Sequence, residues 1–254
     1  MKHVLSILSL SFLSACGGGS DEPLTKFSYG THPNQSAIVN EAKGPVVVFI
    51  HGGGWSGGSI ENHHWLIDNL SLNGITGIAV GYRFLPDYKQ QHQVADIKTA
   101  LSFVEKQYPG KQIMVAGGSA GGYLAVQATA EYIQQTKTKN IQCIYNFAGP
   151  VDLSSDQFSV EAKNLIAQYT VDVGLDKANP MYYATSGAWD TLGVKWSATV
   201  SKYDTVVPYL SMKPFYDRIG GTIEIIDNVE GHAVPNSVVE ESVLVAAKKC
   251  FGVE

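Results

Sequence analysis

Gly117-Gly118-Ser119-Ala120-Gly121-Gly122 decides how this chain is read. The hexapeptide follows the apolar run Ile113-Met114-Val115-Ala116, which reads as a short buried strand. It precedes Tyr123-Leu124-Ala125-Val126-Gln127-Ala128, which opens a helix continuing to about Tyr132. Ser119 therefore stands at a strand-to-helix turn. A turn that sharp strains the serine's backbone and brings strand and helix so close that the positions two before and two after it tolerate little beyond glycine. Gly117 and Gly121 meet that demand. The geometry lifts the hydroxyl clear of the sheet and aims the Ala120 amide at any oxygen held beside Ser119, where the helix N-terminus favours negative charge. An ordinary glycine-rich turn has the same composition, so the reading depends on what accompanies it.

Two further elements accompany it. His51-Gly52-Gly53-Gly54-Trp55 follows Val46-Val47-Val48-Phe49-Ile50, an unbroken β-branched and aromatic run suited to a parallel strand covered on both faces. Consecutive glycines at a strand's carboxyl end expose backbone amides, and Gly53, Gly54 and Ala120 are the candidate donors of an oxyanion hole. Losing one such donor typically costs about 10² to 10³ in rate. Gly52-x-Gly54-x-x-Gly57, before a helix expected from about Ile60, also fits a dinucleotide fingerprint. Trp55 is bulky where a pyrophosphate would approach, however, and the strand read over Ile78-Ala79-Val80-Gly81-Tyr82-Arg83 ends without an acid for a ribose.

A serine nucleophile needs a base, and the base needs an orienting carboxylate. Val194 to Val200 reads as a strand, with Asp204-Thr205-Val206-Val207-Pro208 beyond its end. Thr222-Ile223-Glu224-Ile225-Ile226 reads as the next strand, followed by Gly231-His232 in a loop before a last helix from about Ser237. The order Ser119, Asp204, His232 is that of α/β-hydrolases. Asp190 and Asp227 are the competing carboxylates, but only Asp204 follows a strand and precedes the Val-Val-Pro run.

With these residues in place, the chain resembles an α/β-hydrolase carboxylesterase with an HGGGW oxyanion loop. More closely, it is similar to the bifunctional feruloyl and acetyl xylan esterase-like bacterial esterases, which are related to hormone-sensitive lipase. The likeness runs through Tyr29-Gly30 and Gln35, His51 to Trp55, Tyr82-Arg83-Phe84, Asp96, the Ser119 elbow, Asp204 and Gly231-His232. It implies an α/β fold with a mostly parallel central sheet, helices on both faces and a small lid. It also implies hydrolysis of short-chain acyl, carbohydrate or aryl esters through an acyl enzyme. Larger relatives carry N-terminal cap helices for which Lys26 to Gly44 is too short, so short acyl groups are expected. The same triad chemistry would serve an exopeptidase or arylformamidase, and a surface lipoprotein that only binds a ligand is the non-enzymatic alternative.

The remaining sequence sets bounds. A hydrophobic content of 44% over 254 residues suits one sizeable core, and 26–254 is expected to be a single catalytic domain. A net charge of −5 without a Lys/Arg run argues against nucleic acid. Met1-Lys2 and the apolar run Val4 to Leu13 read as a signal peptide, too short to span a bilayer. Leu13-Ser14-Ala15-Cys16 resembles a lipobox. Residues 1–15 would then be removed, Cys16 lipidated as a membrane anchor, and 16–25 left as a flexible tether rich in glycine. Gly17 after the cysteine resembles the pattern sent to an outer membrane.

An exported location permits a disulfide between Cys143 and Cys250, but buried free thiols are the expected state in such elements. His63-His64 lacks metal-ligand spacing and reads as a solvated helix start, Asp96 reads as structural, and neither cofactor nor metal is required by the chemistry. Gly149 to Trp189, with Phe158, Tyr169, Tyr182, Tyr183 and Trp189, is long for a connection and is expected to form a small helical lid.

Overall fold

The structure, a computed structural model, describes residues 24–253. The expected signal peptide, Cys16 and the tether up to residue 23 lie outside the described residues. Eight strands form one sheet in the order β1-β2-β4-β3-β5-β6-β7-β8. Its centre is built from the apolar runs: β3 (Val46–Ile50), β4 (Thr76–Val80), β5 (Ile113–Gly118), β6 (Ile141–Phe147), β7 (Lys195–Ser201) and β8 (Thr222–Ile226) are all parallel. Every residue of β3 and β4 is buried, as a strand covered on both faces requires. β4 ends at Val80, so Tyr82 and Arg83 belong to the loop beyond it. The Lys26 to Gly44 stretch forms an antiparallel edge, β1 (Thr25–Ser28) on β2 (Ser36–Asn40) and β2 on β4.

Helices cover both faces. α1 (His64–Leu72), after a 3₁₀ turn at Ile60–His63, packs with α8 (Asn236–Phe251) on one side. α3 (Ala120–Thr136) packs on β3, β5 and β6 with α2 (Gln90–Gln107) against it, and α7 (Tyr209–Ile219) packs on β7 and β8. α3 runs past Tyr132 to Thr136 and ends on Lys137 in the left-handed conformation. Asp96 is structural: it is 1% exposed on α2 and its carboxylate takes the Arg83 guanidinium at 2.6 Å and Gln35 Nε2 at 2.7 Å.

Between β6 and β7 the chain forms three short helices, α4 (Val160–Thr170), α5 (Leu175–Ala178) and α6 (Pro180–Thr185). Two buried polar side chains tie them down. Tyr123 on α3 donates to the Ala178 carbonyl at 2.8 Å, and Asn179 Oδ1 accepts from Leu153 N at 3.0 Å and Met181 N at 3.2 Å. The aromatic residues of this segment divide: buried Trp189 stacks between half-buried Tyr183 and Trp196 of β7, Phe158 and Tyr169 face the elbow side, and Tyr182 is exposed.

The free-thiol expectation is corrected. Cys143 of β6 and Cys250 at the end of α8 form a disulfide across a sequence separation of 107. Val243, Ala247 and Cys250 make the buried stripe of α8, and that stripe lies on β6. Each cysteine suits its own element as a buried apolar residue; the bond arises only because the two elements pack together. Such a link typically contributes about 2–4 kcal/mol.

Candidate active site

Sheet register gathers the site. Ile50 pairs with Gly117, Gly118 with Phe147, Phe147 with Thr199 and Ser201 with Ile226, so the loops after β3, β5, β7 and β8 all leave the same edge. Ser119 sits between β5 and α3 with φ 53° and ψ −123°. Its amide donates to Phe147 O at 2.8 Å and its carbonyl accepts from Tyr123 N at 3.1 Å, which pins both sides of the turn. The expected close approach is present: a Cβ on Gly117 would stand 2.2 Å from Gly121 O, and one on Gly121 would stand 2.1 Å from Ile50 O. Both obstacles are backbone atoms that cannot swing away.

Ser119, His232 and Asp204 come together in one hydrogen-bonded line. Asp204 Oδ1 accepts from the amides of Val206 at 2.9 Å and Val207 at 2.8 Å, which fixes the carboxylate and leaves Oδ2 for His232 Nδ1 at 2.6 Å. The Asp204 side chain is 1% exposed and that of His232 is 20% exposed. With Nδ1–H donating to the carboxylate, Nε2 is free to accept, and Ser119 Oγ lies 2.7 Å from it. Asp190 is elsewhere, on the surface with Arg218 at 3.2 Å.

The His51 to Trp55 segment turns under the elbow. Gly53 has φ 118°, Gly54 φ 57° and Trp55 φ 60°. Among the described residues no protein acceptor takes up the amides of Gly53, Gly54 or Ala120. Trp55 is buried and stacks on Tyr169 of α4. His51 braces the loop from behind, its ring 4.6 Å from that of Tyr82 and its Nδ1 2.7 Å from Gly52 O. Burial lowers its pKa from 6.5 to about 4, so the ring is neutral. His63, of the His63-His64 pair, meets Ser59 O through Nδ1 at 3.1 Å.

A cavity of about 70 Å³ opens beside Ser119. Gly54, Ala120 and Trp55 form its floor, Val206 and Val207 of the acid loop one side, and Phe158, Ala162, Leu165 and Ile166 its roof. Gly53 is not among its lining residues. Leu165 reaches over the oxyanion loop, with Cδ2 3.7 Å from the position a Cβ on Gly54 would take. This volume is far below the roughly 300–1,000 Å³ of a site enclosing a drug-sized ligand. Phe158 is among the aromatics the sequence assigns to the lid; Ala162, Leu165 and Ile166 are not singled out there, although with Tyr169 they recur at the spacing of one helix face.

Residues 36–209 match the BD-FAE family. The chain belongs to that family. The match takes in the BD-FAE elbow, the oxyanion loop and Asp204 but ends before His232, whose place in the site rests on its contacts. Among curated proteins, this BD-FAE chain is 28% identical over 121 residues to versiconal hemiacetal acetate esterase of Emericella nidulans, 47% of this chain and 42% of that protein. It spans less than half the length of the curated relatives it matches.

Carboxyl esterase 2 of the fungus Tuber melanosporum superposes with a TM-score of 0.73 at 19% identity, over 91% of this chain and 89% of that one. The hormone-sensitive-lipase homologue EstE7 from a metagenome library superposes with a TM-score of 0.69 at 18% identity, over 90% and 86%. The fold of this BD-FAE protein is that of the α/β-hydrolases.

Proposed function

We propose that the chain is a serine carboxylesterase acting on short acyl esters. Ser119 attacks the ester carbonyl while His232 takes the hydroxyl proton, and Asp204 holds the imidazole in the tautomer that leaves Nε2 free. The amides of Gly54 and Ala120, with Gly53 beside them, stabilise the developing oxyanion. The tetrahedral adduct collapses to an acyl enzyme as His232 returns the proton to the leaving alcohol, and water releases the acid by the same route. The observation that carries this reading is the line from Asp204 Oδ2 through His232 to Ser119 Oγ, at 2.6 and 2.7 Å, beside unpartnered amides.

The 70 Å³ cavity supports a small acyl group. The alcohol leaves on the His232 side, where carbohydrate or aryl groups can extend outward. Export and anchoring through a lipidated Cys16, at an outer membrane, complete the proposal on the strength of Leu13-Ser14-Ala15-Cys16.

A fluorophosphonate probe is expected to label the wild-type chain and not Ser119→Ala; labelling that persists overturns the nucleophile. A panel of p-nitrophenyl esters, acetylated sugars, feruloyl esters and aminoacyl anilides assigns the leaving group. Turnover of anilides alone would make the enzyme an amidase. The full-length protein is expected to fractionate with membranes and take up labelled fatty acid, and Cys16→Ser to do neither; an unlabelled, soluble wild type refutes the anchor.

A further inference from the structure

We infer that Ser201 is a positioning residue of this site: its hydroxyl bridges the loop carrying Asp204 to the loop carrying His232 and so holds the imidazole in line. This rests on the esterase reading above. Ser201 is the last residue of β7 and is 1% exposed. Its Oγ donates to Val229 O at 2.5 Å and accepts from Tyr203 N at 3.1 Å. One hydroxyl therefore satisfies a carbonyl three residues before His232 and an amide one residue before Asp204.

The histidine loop has little else to hold it. No residue from 227 to 235 is buried, and Val234 packs against the core only in part. Among the described residues, apart from the local bond from Val234 N to His232 O, three hydrogen bonds tie 227–233 to the rest of the protein. Two belong to the His232 ring itself; the third is the Ser201 bridge to Val229. Of the ring's two bonds, the one from Nε2 to Ser119 must break and re-form in each catalytic cycle, because Nε2 takes the Ser119 proton and passes it to the leaving alcohol, while Nδ1–H stays on Asp204. The Ser201 bridge does not take part in that exchange and is present throughout. Without it, Val229 O and Tyr203 N lose a partly buried partner, and the loop regains backbone freedom. A displacement of about 1 Å at a catalytic group is enough to cost about 10²-fold.

Ser201→Ala is expected to lower kcat by about 10- to 100-fold with KM within about twofold, because ester binding does not involve this hydroxyl. Ser201→Thr, which keeps a β-hydroxyl, is expected to recover most of the loss. The low-field proton resonance of His232 Nδ1–H is expected to broaden in Ser201→Ala and to remain in Ser201→Thr. Equal kcat in wild type and Ser201→Ala overturns the inference, as does a loss that Ser201→Thr shares in full. If Ser201→Ala does not fold, Ser201→Cys, with a weaker donor in the same place, supplies the reading: a reduced kcat supports the bridge and an unchanged one overturns it. Ser119→Ala, assayed alongside, separates the two claims. An active Ser119→Ala removes the esterase reading itself, whereas an inactive one beside a fully active Ser201→Ala removes only the bridge.

Discussion

The indole of Trp55 and the phenol of Tyr169 lie face to face, with ring centroids 4.2 Å apart and planes 7° from parallel. The oxyanion loop therefore leans on the helix that roofs the cavity. The Tyr169 hydroxyl is buried without a protein partner among the described residues, so the ring and not the hydroxyl carries the contact. Tyr169→Phe is expected to leave stability unchanged or slightly raised, because no hydrogen bond is lost. Tyr169→Ala is expected to cost about 3–5 kcal/mol. Urea unfolding of the two variants distinguishes them; a Phe variant as unstable as the Ala variant would show that the hydroxyl has a partner after all.

Asp204 is the carboxylate whose loss is expected to disable the site. An amide at this position would still accept from the Val206 and Val207 amides but would present the wrong partner to His232 Nδ1. Asp204→Asn is expected to fold and to lose about 10⁴ in kcat, by analogy with serine proteases. Asp190→Asn, which removes only a surface pair with Arg218, is expected to stay within about twofold, since such pairs contribute little. Kinetics on purified, folded variants test both, and a reversal of the two results would reassign the carboxylate.

On the esterase reading, Leu165 is expected to set the reach of the acyl group. It hangs from α4 over Gly54, and trimming it would enlarge a cavity of about 70 Å³. Wild type is expected to prefer acetate and butyrate to palmitate, and Leu165→Ala to move the optimum to longer chains by raising kcat/KM for hexanoate over acetate by about 10-fold or more, the discrimination typical of a methylene or two. An unchanged chain-length profile would mean that the acyl group lies elsewhere.

Acid is expected to destabilise the protein partly through His51. Burial holds its folded pKa at about 4, against 6.5 when free. Between these values the unfolded chain binds a proton that the folded one refuses. Stability is therefore full above about pH 6.5 and falls as pH drops through the window, by on the order of 3 kcal/mol at pH 4. The His51 ring protons, followed by NMR, should titrate with a midpoint below pH 5 while urea midpoints decline; a midpoint near 6.5 would show that the ring is accessible to water.

The sequence was most legible where one element explains its own residues. Val46 to Ile50 and Thr222 to Ile226 are strands with the expected ends, and the glycines around Ser119 meet the close approach they imply. Ser119, Asp204 and His232 are legible as a group because each follows a strand, and parallel strands deliver their ends to one edge, where the three side chains meet. What could not be read depends on distant segments meeting. The Cys143–Cys250 bond needs α8 laid on β6. Ser201 looks like any polar strand end until the loop beyond β8 folds over it. The antiparallel β1-β2 edge is short and mostly polar at β1, with little periodicity to show.

The left-handed backbone of Ser119, at φ 53° and ψ −123°, has a consequence for what the chain can afford to lose. A non-glycine residue held in such a region typically carries about 1–3 kcal/mol of strain. Glycine at this position would relieve much of it, so Ser119→Gly is expected to melt above Ser119→Ala in calorimetry. A protein that merely bound its ligand here would gain stability from that replacement and lose nothing. On the esterase reading, the hydroxyl is what the chain keeps at the expense of that stability.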